Sequence, residues 1–543
     1  MEQFEPVHQE ELYGVGTTGS TTQLRNRVNN TQSSTADLKI LHQREIHLIN
    51  LLEESEGAWE TLRRVFAEDG FTVEAVLHSD VLHPVDSYNL IKRTARSWPR
   101  VFAQLSLEEG EARLRTAVEE ARGQFPSWET SRVAVALGIL NIHVYYRLDP
   151  ADLVLGRLTD SLRNVTYQAR TKLSPGDAKL IAEVAEKENL INFAIEWLSV
   201  FSQLRKRYRK LVKYHDNLVN YEPEKVLAQN IVTYNDPIEE TVFQETEIRN
   251  RREAGRAQCP PFQGDVPNSC PSSCCKYFYD EEISRLCRGD RTLRPAEKDV
   301  TTKCELLTYN SPFLRLNPFK LETANNEGNF VAIVHQLMSL EEVEEMKGKA
   351  IGDMKATPYN VGGKNEEFSY KRNSKIKYIS ERTDSLALTI TRRLEAAMAL
   401  NIFKPGPEHR LTSENYQLMN YGFGGLISLH LDEDGHFNVG GGRFTTAMLY
   451  LSEVQSGGFT IFPKLNLAFQ PQPGQLLYWH LRRTDGTADQ RMIHLGCPVM
   501  YGDKWILNKW INWEAQMDTF KCFLPRGRNF PSNRQVLLEY QNR

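Results

Sequence analysis

"RFTTAMLYLSEVQSGGFTIFP", residues 443–463, sets an apolar run from Ala447 to Leu451 ahead of Gly457 and Gly458, then a second short run that Pro463 ends. Apolar runs this short, bounded by glycine and proline, read as β-strands rather than helices. The same texture spreads in both directions: "FVAIVHQL", "YQLMNYGFGG", "GQLLYWHL", "MIHLGCPVMYG" and "KWILNKWINW". Their spacing predicts an all-β sandwich or jelly roll, with "TDSLALTITRRLEAAMALNI" as a helix beside it. The β domain is expected over residues 321–525, followed by a tail at 526–543.

Upstream the pattern changes. Residues 1–35 are rich in Gly, Ser, Thr, Asn and Gln without apolar periodicity and read as a disordered lead-in. Over 36–150 a helical domain is expected, opened by "DLKILHQREIHLINLLEESEGAWETLRRVF", which sets Leu38, Leu41, Leu48, Leu52, Trp59, Leu62 and Phe66 near a and d positions of a heptad. That coiled-coil-like stripe favours a long helix pairing with a partner; an ordinary bundle helix would also show it. Residues 151–235 carry a hairpin of helices in which Ala178, Ala182, Ala185, Phe193, Ala194, Trp197 and Phe201 oppose small and large side chains across a break at Glu188 and Asn189. This is how a TPR-like repeat packs. A polar, Cys-rich linker at 236–320 completes the multidomain α+β plan.

The 543 residues, 25% of them charged with a net charge of -4, give no electrostatic footprint for nucleic acid, and the basic run at 205–213 reads as a wet helix face. No stretch approaches the roughly 20 consecutive apolar residues of a membrane span. The N-terminal "MEQFEPVHQEELYGVGTTGS" has neither a basic start nor an apolar core, so no export signal is expected in it. The eight cysteines, all between Cys259 and Cys522, nevertheless suggest an oxidising compartment. The group Cys259, Cys270, Cys274 and Cys275 lacks the second CxxC or the histidine that zinc would require. Sequons at Asn29 and Asn164 are compatible with a secreted glycoprotein.

"HLDEDGHF", residues 430–437, is the chemically dense stretch. An EF-hand beginning at Asp432 would need glycine at its sixth position; Phe437 stands there and Gly435 at the fourth, which disfavours calcium. His430 and Asp432, two apart at a strand end, project to one face. With His494 from a neighbouring strand they would make a facial triad of two imidazoles and one carboxylate, leaving three positions on Fe(2+) open. The keto-acid end of 2-oxoglutarate would occupy two of these, and its far carboxylate needs a cation. Lys504, ten residues after His494, is the candidate, with Tyr421 and Thr460 as hydroxyl donors.

Taken together, "NYGFGG", "HLD", "RFTTAMLYLSEVQSGGFTIFP" and "HLGCPVMYGDKWILNKWI" resemble the catalytic domain of collagen prolyl 4-hydroxylase alpha subunits. Upstream, "HPVDSYNLIKR" resembles that family's N-terminal dimerisation domain, and "LCRGD" to "KC" its disulfide-bearing segment. The resemblance implies a double-stranded β-helix in which His430, Asp432 and His494 bind iron, Lys504 binds 2-oxoglutarate, Tyr421 and Thr460 assist, and Arg443, on the retained co-substrate side, is catalytic together with Tyr421. It implies a procollagen-proline 4-dioxygenase that turns peptidyl proline, 2-oxoglutarate and dioxygen into 4-hydroxyproline, succinate and carbon dioxide, with L-ascorbate rescuing over-oxidised iron. A proline-rich or collagen-like substrate, an α2β2 tetramer with protein disulfide isomerase, the endoplasmic reticulum lumen, and disulfides Cys287–Cys304 and Cys497–Cys522 follow from the same resemblance.

The sequence departs from the family on the substrate side. Where the family has tyrosine three residues before the first iron histidine, this chain has Ile427; where it has histidine eight residues after the lysine, this chain has Asn512. Only 16 residues separate "FSQL" from "YEPEKVLAQN", too few for the family's further helical pair, although Tyr208, Tyr214 and Tyr221 offer aromatic contacts for a proline-rich strand. The alternative reading is a catalytically weakened paralogue serving as a peptide-binding or assembly subunit.

Overall fold

The computed structural model describes residues 34–106, 111–188, 190–212, 281–289, 303–308, 312–325, 330–351, 353–356, 359–361, 364–366, 374–404, 412–433, 441–483 and 486–517. Its first part is helical: α1 (Thr35–Glu53), α2 (Glu56–Glu68), α3 (Val73–Leu77), α4 (Pro84–Lys92), α5 (Trp98–Gln104), α6 (Ala112–Gln124), α7 (Trp128–Tyr146) and α8 (Pro150–Val154). A small hairpin of β1 (Arg157–Asp160) and β2 (Val165–Gln168) leads to α9 (Pro175–Lys187) and α10 (Ile191–Val212).

The heptad-like stripe is divided between two helices, because the chain turns at Glu54 and Ser55 and folds α2 back beside α1. Leu38, Leu41, Leu48, Leu52, Leu62 and Phe66 all lie buried in this chain's own core, against α2, α4 and α6, which is the bundle-helix alternative. The expected helical hairpin is present as α9 and α10: Ser174 and Asp177 form a reciprocal cap at its start, and Ala178, Ala182, Ala185, Ala194, Trp197 and Phe201 are buried within it. The linker at 236–320 lies largely outside the described residues, as do Asn29, Tyr214, Tyr221, Cys522 and the four cysteines from Cys259 to Cys275.

The second part is built from antiparallel strands: β3 (Lys303–Leu307), β4 (Phe319–Asn325), β5 (Val331–His335), β6 (Lys355–Ala356), β7 (Tyr359–Val361), β8 (Lys364–Glu366), β9 (Lys375–Ile379), β10 (Tyr416–Tyr421), β11 (Ile427–His430), β12 (Arg443–Tyr450), β13 (Ser456–Gly457), β14 (Thr460–Phe462), β15 (Leu467–Phe469), β16 (Leu476–His480), β17 (His494–Gly496), β18 (Val499–Tyr501) and β19 (Lys504–Asn512). Between them run α11 (Pro312–Leu316), α12 (Leu340–Gly348) and α13 (Ser385–Met398). The major sheet has the order β3-β4-β5-β16-β12-β19-β10-β9-β6, and a minor sheet of β11-β17-β14-β15 faces it. This is the double-stranded β-helix expected from the sequence.

Period-two alternation sorts the strands' side chains into three cores. Tyr416, Leu418, Ala447, Leu449, Leu476, Tyr478, Leu507 and Ile511 face α12 and α13 behind the major sheet. Tyr421, Met448, Tyr450, Leu477, Trp479 and Ile506 point inward with Phe462 and Phe469 of the minor sheet. The minor sheet's other face, with Ile461, Ala468 and Leu495, merges into the core of the helical part. The helices thus cover the outside of the sheet that carries His430 and His494.

Both expected disulfides, Cys287–Cys304 and Cys497–Cys522, are corrected. Cys287 pairs with Cys497, their Cα atoms 5.6 Å apart, and not with Cys304, which is free and exposed on the edge strand β3. The helical turns at 281–287 pack on the far side of the barrel, where the Ser284 hydroxyl donates to the carbonyl of Tyr145 at 2.8 Å, so Cys497 rather than Cys304 comes within reach.

Candidate active site

Strands β11 and β17 pair so that His430 stands opposite His494. Asp432 follows β11 by two residues and is buried, as is His494. The ligand atoms of these three residues all lie within 4.8 Å of one another: His430 Nε2 is 3.4 Å from Asp432 Oδ1, and His494 Nε2 is 3.6 Å from Asp432 Oδ2.

Each imidazole is oriented from behind. His430 Nδ1 donates to the Ser428 carbonyl at 2.8 Å and His494 Nδ1 to the Met492 carbonyl at 3.0 Å, which leaves both Nε2 lone pairs for a metal. Burial by itself raises the Asp432 carboxyl, but the two neighbouring imidazoles, His494 first, and the hydrogen bond from Thr446 outweigh it and hold the group as a carboxylate, far below the usual range. Burial, with the neighbouring His430, pushes the His494 imidazole down to about 4 and so keeps it neutral. Two imidazoles and one carboxylate suit Fe(II), and a facial set leaves coordination positions open.

Thr446 escaped the sequence reading. Its hydroxyl donates to Asp432 Oδ2 at 2.6 Å, leaving the other carboxylate oxygen toward His430. Parity along β12 was the available signal, since Thr446, Met448 and Tyr450 share the inward face.

The second cluster begins one strand pair away. Lys504 is the cross-strand partner of Tyr421, and its ammonium lies 5.5 Å from that ring's centre. Only 2% of Lys504 is exposed, no carboxylate of a described residue pairs with it, and burial pushes its pKa down to about 7. Glycines make room for it: a Cβ on Gly496 would lie 3.6 Å from Nζ, and one on Gly458 3.5 Å from Cδ. Thr460 is buried opposite Gly496 across β14 and β17. Beside Thr460 sits Tyr450, whose hydroxyl is buried without a hydrogen bond of ordinary geometry and which burial pushes far up. Tyr450 is the second group the sequence reading missed.

An ammonium, hydroxyl groups and glycine walls, with no carboxylate among the described residues paired to the ammonium, fit the distal carboxylate of 2-oxoglutarate. The alternative is a buried cation without compensation, which proteins avoid.

Arg443 reaches the triad through Asp432. Its guanidinium stacks 3.4 Å from the centre of the Trp510 ring, pairs with Glu414 at 2.6 Å, and donates to the backbone carbonyl of Asp432 at 3.0 Å. By parity Arg443 would fall with Ala447 and Leu449, and the register irregularity between Arg443 and Thr445 sets it instead beside Trp510, the cross-strand partner of Thr446. Arg443 therefore positions the Asp432 backbone. Of the two departures, Ile427 is half-buried opposite Gly496, and Asn512 is buried at the end of β19 opposite Arg443.

Comparison with known proteins matches both parts. Residues 22–160 match the model of the prolyl 4-hydroxylase alpha-subunit N-terminal region, and residues 416–512 that of the 2OG-Fe(II) oxygenase superfamily. The chain is 26% identical over 490 residues to prolyl 4-hydroxylase subunit alpha-2 of Caenorhabditis elegans, covering 83% of this chain and 84% of that one. It is 25% identical over 484 residues to the human subunit alpha-3, covering 80% and 84%. Among solved structures, a viral collagen prolyl hydroxylase from Paramecium bursaria chlorella virus-1, in its 2-oxoglutarate complex, aligns over 33% of this chain and 94% of that one at 21% identity and a TM-score of 0.27. Sequence matches to prolyl 4-hydroxylase alpha subunits over most of the chain support that family, and the oxygenase match together with the His430, Asp432 and His494 triad makes the C-terminal domain a 2-oxoglutarate-dependent Fe(II) dioxygenase.

Proposed function

We propose that the chain hydroxylates peptidyl proline at C4, in collagen-like or other proline-rich polypeptides, consuming 2-oxoglutarate and dioxygen and releasing succinate and carbon dioxide. The observation that carries the reading is the convergence of His430, Asp432 and His494 beside a buried Lys504 that lacks a carboxylate partner among the described residues. Bound Fe(II) supplies the redox chemistry that splits dioxygen between succinate and the substrate C–H bond. The chain's own groups do the rest. Lys504, Tyr450 and Thr460 hold the far carboxylate, Tyr421 flanks the ammonium, and Thr446 and Arg443 fix Asp432 from the side chain and the backbone.

L-Ascorbate as reductant, an α2β2 assembly with protein disulfide isomerase, and residence in the endoplasmic reticulum lumen belong to the same proposal. The Cys287–Cys497 disulfide supports an oxidising compartment. Asn164, exposed in the turn between β1 and β2, is the acceptor for the glycan. The test is succinate release by the iron-loaded protein, expressed with and without the isomerase, against (Pro-Pro-Gly)-type and unrelated proline-rich peptides, with mass spectrometry for the added oxygen. No 2-oxoglutarate turnover with any peptide would overturn the proposal.

A second reading rests on Ile427, an apolar side chain three residues before His430 on β11 where a hydroxyl would otherwise contact substrate. It makes the chain a weakened paralogue that binds peptide. The double variant Ile427→Tyr, Asn512→His separates the two.

A further inference from the structure

We infer that Tyr146, at the end of α7, is a positioning residue for the 2-oxoglutarate pocket, through which the helical part of the chain sets how tightly the barrel holds its co-substrate; the inference rests on the pocket assignment above. Helix α7 docks directly on the barrel. Its Gly138 meets Phe423, and a Cβ on Gly424 would overlap the Gly138 backbone. Three residues on, Asn141 Nδ2 donates to the Gly424 carbonyl at 3.1 Å.

At the helix's end the contact reaches the pocket walls. The buried Tyr146 hydroxyl donates to the Pro498 carbonyl at 2.6 Å and accepts from the Gly458 amide at 3.2 Å. That same amide bonds the Pro498 carbonyl at 2.9 Å, so one phenol, one amide and one carbonyl close a triangle. Gly457 and Gly458 both have positive φ, +77° and +67°, and a Cβ on Gly457 would strike the Tyr146 hydroxyl. No side chain other than hydrogen fits this crossing.

The two segments joined there are the two that border Lys504. Gly458 faces the lysine's Cδ, and Gly496, two residues before Pro498, faces its Nζ. The Tyr146 hydroxyl therefore adds a tie from the helical part to walls that the Gly458–Pro498 and Cys497–Phe459 backbone bonds already join, and between which a carboxylate must seat against the ammonium. A carboxylate–ammonium contact is steep in distance at low dielectric, so a wall displaced by a fraction of an ångström weakens it. Tyr146 contacts neither the triad nor the co-substrate and acts only through these walls.

The test uses the full chain loaded with Mn(II), titrated with 2-oxoglutarate by calorimetry, as wild type, Tyr146→Phe and Tyr501→Phe. Tyr501 donates to Asp80 at 2.6 Å elsewhere on the same helix–barrel face, so its variant loses the same chemical group without touching Gly458. Tyr146→Phe is expected to bind 2-oxoglutarate about three- to tenfold more weakly with Mn(II) affinity unchanged, as one buried hydrogen bond warrants, while Tyr501→Phe binds it like wild type. Equal affinity in wild type and Tyr146→Phe, or equal losses in both variants, overturns the inference. A wild type that binds no 2-oxoglutarate sinks the pocket assignment instead. Should Tyr146→Phe fail to fold, hydrogen exchange on wild type replaces it: added 2-oxoglutarate is expected to slow exchange at 143–147 as well as 456–459, and protection confined to the barrel overturns the inference.

Discussion

Replacing Lys504 with methionine should stabilise the empty protein while destroying its response to 2-oxoglutarate. The ammonium is 2% exposed, and its ordinary pKa of 10.5 falls to about 7 through burial alone. At 1.36 kcal/mol per pH unit, that fall corresponds to about 5 kcal/mol of folding free energy withheld whenever the folded state must carry the charge. Methionine fills a similar volume without it. Allowing about 1–2 kcal/mol for imperfect repacking, Lys504→Met should gain about 3 kcal/mol, or a rise in Tm of several degrees. The sign has a pH window. Between about 7 and 10.5 the unfolded wild type binds more protons at this lysine than the folded one, so wild-type stability rises with pH there. The gap between variant and wild type is therefore full below pH 7 and closes toward 10.5. Thermal unfolding at pH 6.5 and pH 9, each with and without 2-oxoglutarate, measures both halves. A Lys504→Met protein less stable than wild type at pH 6.5 without ligand, or one that the ligand stabilises as strongly as wild type, would refute the reasoning that this cation waits for an external carboxylate.

The same lysine makes 2-oxoglutarate binding pH-dependent: calorimetry in buffers of different ionisation enthalpy should show uptake of about one proton at pH 8 and an affinity that falls by up to about tenfold per unit above pH 7. Thr446→Val frees Asp432 Oδ2 of its hydrogen bond and should weaken Mn(II) binding about 10- to 100-fold by titration, with little change in Tm. Glu381→Gln strips the fully buried Lys509 of its carboxylate partner, leaving only the Glu414 carbonyl and a neutral amide, and should cost about 3–5 kcal/mol in denaturant unfolding. Under the proposed activity, Ile427→Tyr with Asn512→His leaves peptide-coupled succinate release unchanged; a large gain in that assay would favour the weakened-paralogue reading.

Most of the barrel was legible because strand burial imposes a two-residue period that survives in any sequence that must face two cores. The run of β12 shows it: Ala447 and Leu449 go one way, Met448 and Tyr450 the other. The metal triad was legible because chelation forces residue types as well as spacing. What did not show were facts of the third dimension. The stripe from Leu38 to Phe66 carries no mark that distinguishes a partner helix from the chain's own α4 and α6, since leucine is equally satisfied by either. The Cys287 pairing failed for a related reason: a disulfide is decided by Cα separation, and Cys497 lies 210 residues away in sequence. Tyr450 and Thr446 were overlooked because tyrosine and threonine are ordinary strand residues, and only their inward parity set them apart.

The arrangement also explains why the two halves of the site tolerate change so differently. Asp432 is held by Thr446, Arg443 and both histidines, and Lys504 is buried between Gly458 and Gly496, so a substitution that removes a partner on this side strands a buried charge. Ile427 carries no such debt: it is half-buried, apolar, and meets Gly496 through its Cγ2. Exchanging a hydroxyl for a methyl-bearing side chain there removes a contact with substrate without leaving any group of the protein unsatisfied. A change at Ile427 beside an intact triad and pocket is thus what the local energetics permit, and under the proposed function it would alter which polypeptide is accepted rather than whether iron and 2-oxoglutarate are bound.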